Sequence, residues 1–308
     1  ELTGPGGPDG YGLQSSGYPG YGDLVVADCS VTGYGLAGVY SSGTPTYVKD
    51  TTMDSCGVGL NLCIMYAGEA RGLTLRDCDT GLQATSVFEP YNLSSCVLTG
   101  NGEDLAIGYD SLVNFIDSDV DSEQFRFLND DWSRATIMHT VAVEVVDQGG
   151  AAVPGSYVTV RDAEGALVLD DLTGVYGTTV PFVAAERRMT HNLTIRMNPH
   201  TVTVSKPGVG TSQALVTFDG EGTYPVMLSP LDLSMAGLNI SSSHPLPGQK
   251  VWLNASVVLD GGGNVTDVEV GFYLAGDLIG TALIDELGPG APVMVSIRFN
   301  APPEGSHN

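Results

Sequence analysis

The chain has 308 residues and a formal net charge of −24, from 36 acidic and 12 basic side chains. That balance excludes a binder of phosphate backbones, which needs a basic stripe: the lysines are Lys49, Lys206 and Lys250, and among the arginines only Arg187 and Arg188 are adjacent. No apolar run is long enough to span a bilayer, and 41 glycines with short runs of valine and threonine favour strands and tight turns over helices.

Residues 1 to 22 are rich in Gly, Pro, Tyr and Ser and carry no apolar periodicity. They read as an arm that does not fold by itself: a linker, or a segment whose Tyr11, Tyr18 and Tyr21 pack on a neighbouring surface.

Residues 23 to 134 carry an internal repeat. Cys29, Cys56, Cys78 and Cys96 align, with Ser118 in a fifth place. Three residues before them stand Val26, Met53, Leu75, Leu93 and Phe115, and just before them Asp28, Ser55, Asp77, Ser95 and Asp117. An apolar residue, a turn residue, a small inward residue and another apolar residue, recurring every 18 to 27 positions, predict the stacked coils of a right-handed parallel β-helix. The Asp and Ser residues are expected at left-handed corners, which short polar side chains tolerate best. A second inward column is expected at Leu36, Leu60, Leu82 and Leu105, with coils of unequal length between. The four cysteines form a ladder of free thiols in this reading. Neighbouring rungs hold their Cβ atoms about 4.8 Å apart, beyond the comfortable span of a disulfide. Cys63 reads as a small buried hydrophobe on another strand. Both solenoid ends need a cover, the downstream one from the chain near Phe125 to Trp132.

From Ala135 the rhythm changes to long alternating strands. The run VEVVDQGGAAVPGSYVTVRDAEGALV, from Asp147 to Asp162 above all, resembles the carboxypeptidase-regulatory-like family, small immunoglobulin-like sandwiches of surface proteins; the resemblance covers about residues 137 to 228 of a domain expected over 135 to 229. Residues 230 to 308 resemble the cell-adhesion-related CARDB domain, through Pro245 to Gly248, Gly261 to Val265, Phe272-Tyr273 and Ile279-Gly280-Thr281. Its last strand is expected after Pro302 to His307 and is absent, so that the natural chain is longer or a strand from another molecule completes the domain. The fold expected is therefore all-β: a short right-handed parallel β-helix followed by two immunoglobulin-like sandwiches, an arrangement that resembles archaeal cell-surface proteins.

The candidate chemistry is sparse. Five N-x-[ST] sequons, at Asn92, Asn192, Asn239, Asn254 and Asn264, point to N-linked glycans and an extracellular or cell-surface setting. Asp117, Asp119, Asp121 and Glu123 place oxygen ligands at alternate positions, a pattern that suits calcium, with Asp130 and Asp131 as further ligands; the same residues also read as a solvated strand face. Asp79, Asp119 and Asp121 are the carboxylates a polysaccharide lyase or hydrolase would use, but no basic or histidine partner accompanies them, and the five histidines share no ligand spacing. The expectation is a non-enzymatic protein that requires no cofactor. Its partners are copies of itself, in a filament, sheath or stalk, or surface glycans. The alternative is a polysaccharide-binding or polysaccharide-cleaving solenoid, against which Tyr40, Tyr47, Phe88 and Tyr109 share no register.

Overall fold

The computed structural model describes residues 2–3, 10–17, 22–128, 132–229, 232–260 and 264–302. The chain is all-β, with one three-residue 3-10 turn at Ser122–Gln124 among the described residues. Its first part is a parallel solenoid of about six coils with three faces. Sheet A stacks Leu2–Thr3, Ser30–Thr32, Thr52–Asp54, Thr74–Arg76 and Val97–Thr99. Sheet B stacks Tyr11–Ser16, Ala37–Ser42, Val58–Met65, Thr80–Val87, Glu103–Gly108 and Phe125–Phe127. Sheet C stacks Leu24–Ala27, Thr46–Lys49, Gly68–Arg71, Tyr91–Ser94, Leu112–Ile116 and Arg134–Val146.

The corners are left-handed, and they are of more than one kind. Between sheets C and A, positive φ falls at Asp28 (52°), Asp50 (44°), Gly72 (61°), Ser95 (53°) and Asp117 (49°). Between sheets A and B it falls at Gly33 (78°), Ser55 (53°), Asp77 (53°) and Gly100 (67°). The cysteines consequently stand in two columns instead of one. Cys29, Thr51, Leu73, Cys96 and Ser118 follow the first corner, joined coil to coil by Thr52 N to Cys29 O (3.0 Å), Thr74 N to Thr51 O (2.8 Å), Val97 N to Leu73 O (2.9 Å) and Asp119 N to Cys96 O (2.8 Å). Tyr34, Cys56, Cys78 and Asn101 follow the second, joined by Gly57 N to Tyr34 O (2.9 Å), Asp79 N to Cys56 O (3.1 Å) and Gly102 N to Cys78 O (2.9 Å). The coil is therefore a regular 22 or 23 residues, and the unequal cysteine spacing arises from stepping between corners. The apolar neighbours divide likewise: Val26, Leu93 and Phe115 stack in sheet C with Val48, Ala70 and Ile137, and Met53 and Leu75 stack in sheet A with Val31 and Leu98.

The expected leucine column is corrected at its first place. Val39, preceded by Gly38, stands beneath Leu60, Leu82 and Leu105, while Leu36 is 42% exposed. The column also extends upstream to Leu13, because Tyr11–Ser16 pairs in parallel with Ala37–Ser42. The Gly/Tyr-rich arm thus supplies strands of the first coil, and its glycine is required there: a Cβ on Gly12 would lie 2.5 Å from Gly38 O and 2.6 Å from Val31 Cγ1. Tyr11 meets Tyr40 at 5.2 Å between ring centroids, and Tyr18 and Tyr21 lie outside the described residues. Inside, Leu60, Leu62, Leu75, Leu82, Leu93 and Leu105 have no exposed surface. Burial of each such side chain stabilises by about 1.5–3 kcal/mol, which holds a fold almost devoid of local helical structure.

Strand Arg134–Val146 leaves the solenoid without a break. Its first half pairs in parallel with Leu112–Ile116 and buries Ala135 and Ile137 in the solenoid core. Its second half buries Val141, Val143 and Val145 in the next core, against Val158, Val160, Val202 and Val204 of a four-stranded sheet (Leu167–Leu172, Tyr157–Arg161, His200–Lys206 and Gly210–Val216). Phe182–Met189 pairs with the same strand and sends Met189 into the solenoid core, covering the downstream end of sheet C. Two sheets thus enclose the second core. A third core lies between the antiparallel strands Asp232–Ile240, Lys250–Asp260 and Val293–Asn300 and the hairpin Val265–Leu274 with Asp277–Leu287. Because the facing layer has only two strands, Leu233, Met235, Leu238 and Ile240 stay 38–63% exposed. Gly261–Gly263 and residues 303–308, where the final strand signal falls, lie outside the described residues.

Candidate functional site

The third corner, from sheet B to sheet C, carries the most distinctive surface of the solenoid. Met65 and Val87 are buried at 1% exposure as the chain leaves sheet B, so alternation turns the next residues, Tyr66 and Phe88, outward. Their rings meet with centroids 5.2 Å apart at an interplanar angle of 37°. The following coils place Asp110 and Trp132 at the same step of 22 residues, with Tyr109 beside Asp110. Exposure is 50% for Tyr66, 40% for Phe88, 64% for Tyr109 and 78% for Trp132. Single exposed aromatics are ordinary, but four on one corner of successive coils form a patch of the kind that marks a binding surface.

Short polar contacts hold this corner rigid. Ser111 Oγ accepts from Val87 N at 3.0 Å and donates to Gly108 O at 2.6 Å, and Ser133 Oγ accepts from Ser111 N at 3.1 Å. Arg134 N donates to Ser111 O at 2.8 Å, fixing Trp132 one coil beyond Asp110. Bordering the ridge on sheet C, Tyr47, Glu69, Asn92 and Asn114 share one outward column, and Asn114 Nδ2 donates to Asn92 Oδ1 at 2.9 Å. The ridge supplies apolar ring faces beside amide and carboxylate groups. Of the aromatics the sequence put in doubt, Phe88 and Tyr109 do share a corner, with Tyr66 and Trp132 as partners; Tyr40 lies on sheet B and Tyr47 on sheet C. A period of 22 links Tyr66, Phe88 and Trp132 through Asp110, with Tyr109 one residue off the step, but an alignment on cysteines from two corners hides it.

The other sequence candidates are dispersed. All five cysteines are reduced thiols. The neighbouring Cys78 side chain holds the Cys56 thiol below its ordinary range, while Cys56 and burial push Cys78 up; Cys56 Sγ donates to Asp54 O at 3.4 Å and Cys78 Sγ to Arg76 O at 3.3 Å. Burial pushes Cys96 up to about 11. The second column ends in a polar cluster: Asn101 Oδ1 accepts from Cys78 N (3.0 Å), Asn101 Nδ2 donates to Asp104 Oδ1 (3.0 Å), and Asp104 Oδ2 accepts from Asp121 N (2.9 Å). Burial raises the pKa of Asp104, with Asp121 and Asp119 nearby adding to the shift.

The predicted calcium ligands serve the backbone. Asp117 Oδ1 accepts from Thr140 N at 2.7 Å and Asp121 Oδ1 from Glu123 N at 3.0 Å, while Asp119 bridges to Val97. No group of three or more His, Cys, Asp or Glu side chains among the described residues is arranged to hold a metal ion, and Asp130 and Asp131 lie outside them. Asp79 sits at the corner between sheets A and B, whereas Asp119 faces sheet A. Of the sequons, Asn92 is half-buried in the amide pair, Asn192, Asn239 and Asn264 are exposed, and Asn254 lies directly opposite Asn239, accepting from Ser296 Oγ at 2.6 Å. A cleft of about 270 Å³ in the second unit is lined by Arg187, Arg196, Asn198 and Thr217, but Glu186 and Asp219 balance its arginines, and Arg187 is already held by Glu186.

No family model and no curated protein matches this chain. Among solved structures it is similar to one titled a "putative carbohydrate binding protein" from Bacteroides uniformis ATCC 8492, at 10% identity and a TM-score of 0.21, over 51% of this chain and 78% of that one. The overlap is too slight to bear on ligand or topology. Among the described residues no helix is long and apolar enough to cross a membrane.

Proposed function

We propose that this is an extracellular, non-catalytic polysaccharide-binding protein whose solenoid presents Tyr66, Phe88, Tyr109 and Trp132 to a glycan. The observation that carries the reading is the alignment of these exposed rings on one corner of successive coils. Aromatic faces take up the C–H faces of sugar rings with little loss of side-chain entropy, and the neighbouring amides offer donors and acceptors for hydroxyls. The two downstream units, whose sequences resemble regulatory-like and CARDB modules of archaeal-type surface proteins, serve as a spacer. N-linked glycans occupy exposed sequons. The binding needs no cofactor, and calcium has no role in it. Affinity electrophoresis against a panel of soluble polysaccharides tests the reading: retardation by at least one glycan, relieved in Phe88→Ala, is expected, and uniform mobility throughout sinks it.

One observation favours a second reading, self-assembly by strand addition. Asp232–Ile240 is an edge strand with no charged residue beyond its first, its core-side residues uncovered among the described residues. In that reading a strand from another copy completes the layer opposite. Sedimentation velocity on wild type and Met235→Lys distinguishes the two, because a concentration-dependent polymer abolished by the lysine supports assembly and a monomer throughout removes it.

A further inference from the structure

We infer that the ridge takes a linear polysaccharide lying along the solenoid axis, uncharged or carrying amino groups, and that it rejects polyuronates. The inference rests on the binding reading above and specifies its ligand. Direction follows from the repeat. Residues 66, 88, 110 and 132 lie on consecutive coils, so the ridge runs parallel to the axis with a rise of about 4.7–4.9 Å per coil. The Tyr66 and Phe88 centroids keep that spacing, at 5.2 Å. An extended chain of pyranoses advances by about one coil height per sugar, so successive rings of one chain meet successive coils. A branched or globular glycan would reach one or two positions only.

Charge sets the class of sugar. Asp110 occupies the third place of the ridge itself, Glu89 is exposed next to Phe88, and Glu69 lies three residues beyond Tyr66. Arg134, two residues after Trp132, is the cation of this corner. Among the described residues beside the ridge, three carboxylates stand against one guanidinium, on a chain of net charge −24, and repel a carboxylate-bearing polymer and attract an amino-bearing one. Hydroxyl recognition falls to the amide pair: with Asn114 Nδ2 given to Asn92 Oδ1, the Asn92 Nδ2 and Asn114 Oδ1 groups remain to serve a ligand on the outer face. Asn92 also heads a sequon, so a glycan on Asn92 and a ligand on the amide pair exclude each other.

The test is calorimetric titration of the full chain with β-linked neutral glucan oligosaccharides of two to six sugars, with the corresponding amino-sugar series, and with oligouronates. Affinity should climb with length to about four sugars and then level, amino sugars should bind at least as well as neutral ones with a dependence on salt, and uronates should not bind. Phe88→Ala and Trp132→Ala, both at exposed positions, should each weaken binding about tenfold or more. In the double variant Glu89→Gln, Asp110→Asn, the preference for amino sugars over neutral ones should disappear. Preference for uronates, or affinity independent of length, overturns this inference and leaves the broader reading standing. Absence of binding to every glycan overturns both, and a concentration-dependent dimer lost in the Phe88→Ala, Trp132→Ala variant assigns the ridge to a second copy of the chain.

Discussion

Cys78 lies one coil above Cys56 in a single corner column, joined to it by Asp79 N donating to Cys56 O at 3.1 Å, and each thiol donates to the carbonyl two residues before it, Cys56 to Asp54 O at 3.4 Å and Cys78 to Arg76 O at 3.3 Å. The pair titrates as a unit: the Cys78 side chain favours the thiolate at Cys56, and that charge with burial makes Cys78 hold its proton. The first proton should therefore leave below the ordinary thiol range, at Cys56. Thiolate ultraviolet absorbance followed against pH checks this, and Cys78→Ala should return the Cys56 transition upward. If the transition stays in place in that variant, the neighbouring thiol is not its cause.

Tyr91 is 1% exposed, and its hydroxyl has no hydrogen-bond partner among the described residues, while burial raises its pKa. An orphan buried hydroxyl costs about 1–3 kcal/mol, so Tyr91→Phe should stabilise the solenoid by about 1 kcal/mol. Urea unfolding monitored by circular dichroism measures the change, and a loss of stability would mean that the hydroxyl is satisfied.

Asp28 and Gly59 represent the two constraints on the coil. Asp28, at φ 52°, should accept glycine with little change, whereas Asp28→Val should cost about 1–2 kcal/mol for a branched side chain in the left-handed region. Gly59 has ordinary dihedrals but no room: a Cβ there would lie 2.7 Å from Gly81 O and 2.9 Å from Leu75 Cδ2. Gly59→Ala should therefore be the more damaging, by overpacking, at about 1–3 kcal/mol or more. Equal melting temperatures for Gly59→Ala and wild type would contradict the close approach.

His200 is fully buried against Phe218, with ring centroids 4.9 Å apart, and Nε2 lacks a partner among the described residues. Burial lowers its pKa from 6.5, against a smaller opposing effect of Asp162. The unfolded chain therefore binds a proton that the folded chain refuses. Stability is fully present above about pH 6.5 and falls as the pH drops below it towards the depressed folded value. His200→Phe should flatten the pH dependence of the urea midpoint across that window, and an unchanged slope would assign it to other groups.

How much was legible in the residues follows from the range of the forces involved. Stacked coils, left-handed Asp and Ser corners and an inward leucine column could be read directly, since each reflects a local constraint: a conformation that short polar side chains tolerate, or a buried strand face repeated on the next coil. The assignment of Cys29 and Cys96 to one corner and Cys56 and Cys78 to the next could not, because both corners use the same polar-then-small pair and only the coil-to-coil hydrogen bonds separate them. Strand Tyr11–Ser16 has no apolar pattern of its own because it pairs with an adjacent coil, where Gly12 fits beneath Gly38. The same holds for the ridge. Sequence by itself determined an acidic, all-β, repeating chain with no apolar run long enough for a membrane-spanning helix; tertiary structure decided which side chains meet, because residues 22 positions apart, such as Tyr66 and Phe88, become neighbours only when a whole coil closes between them.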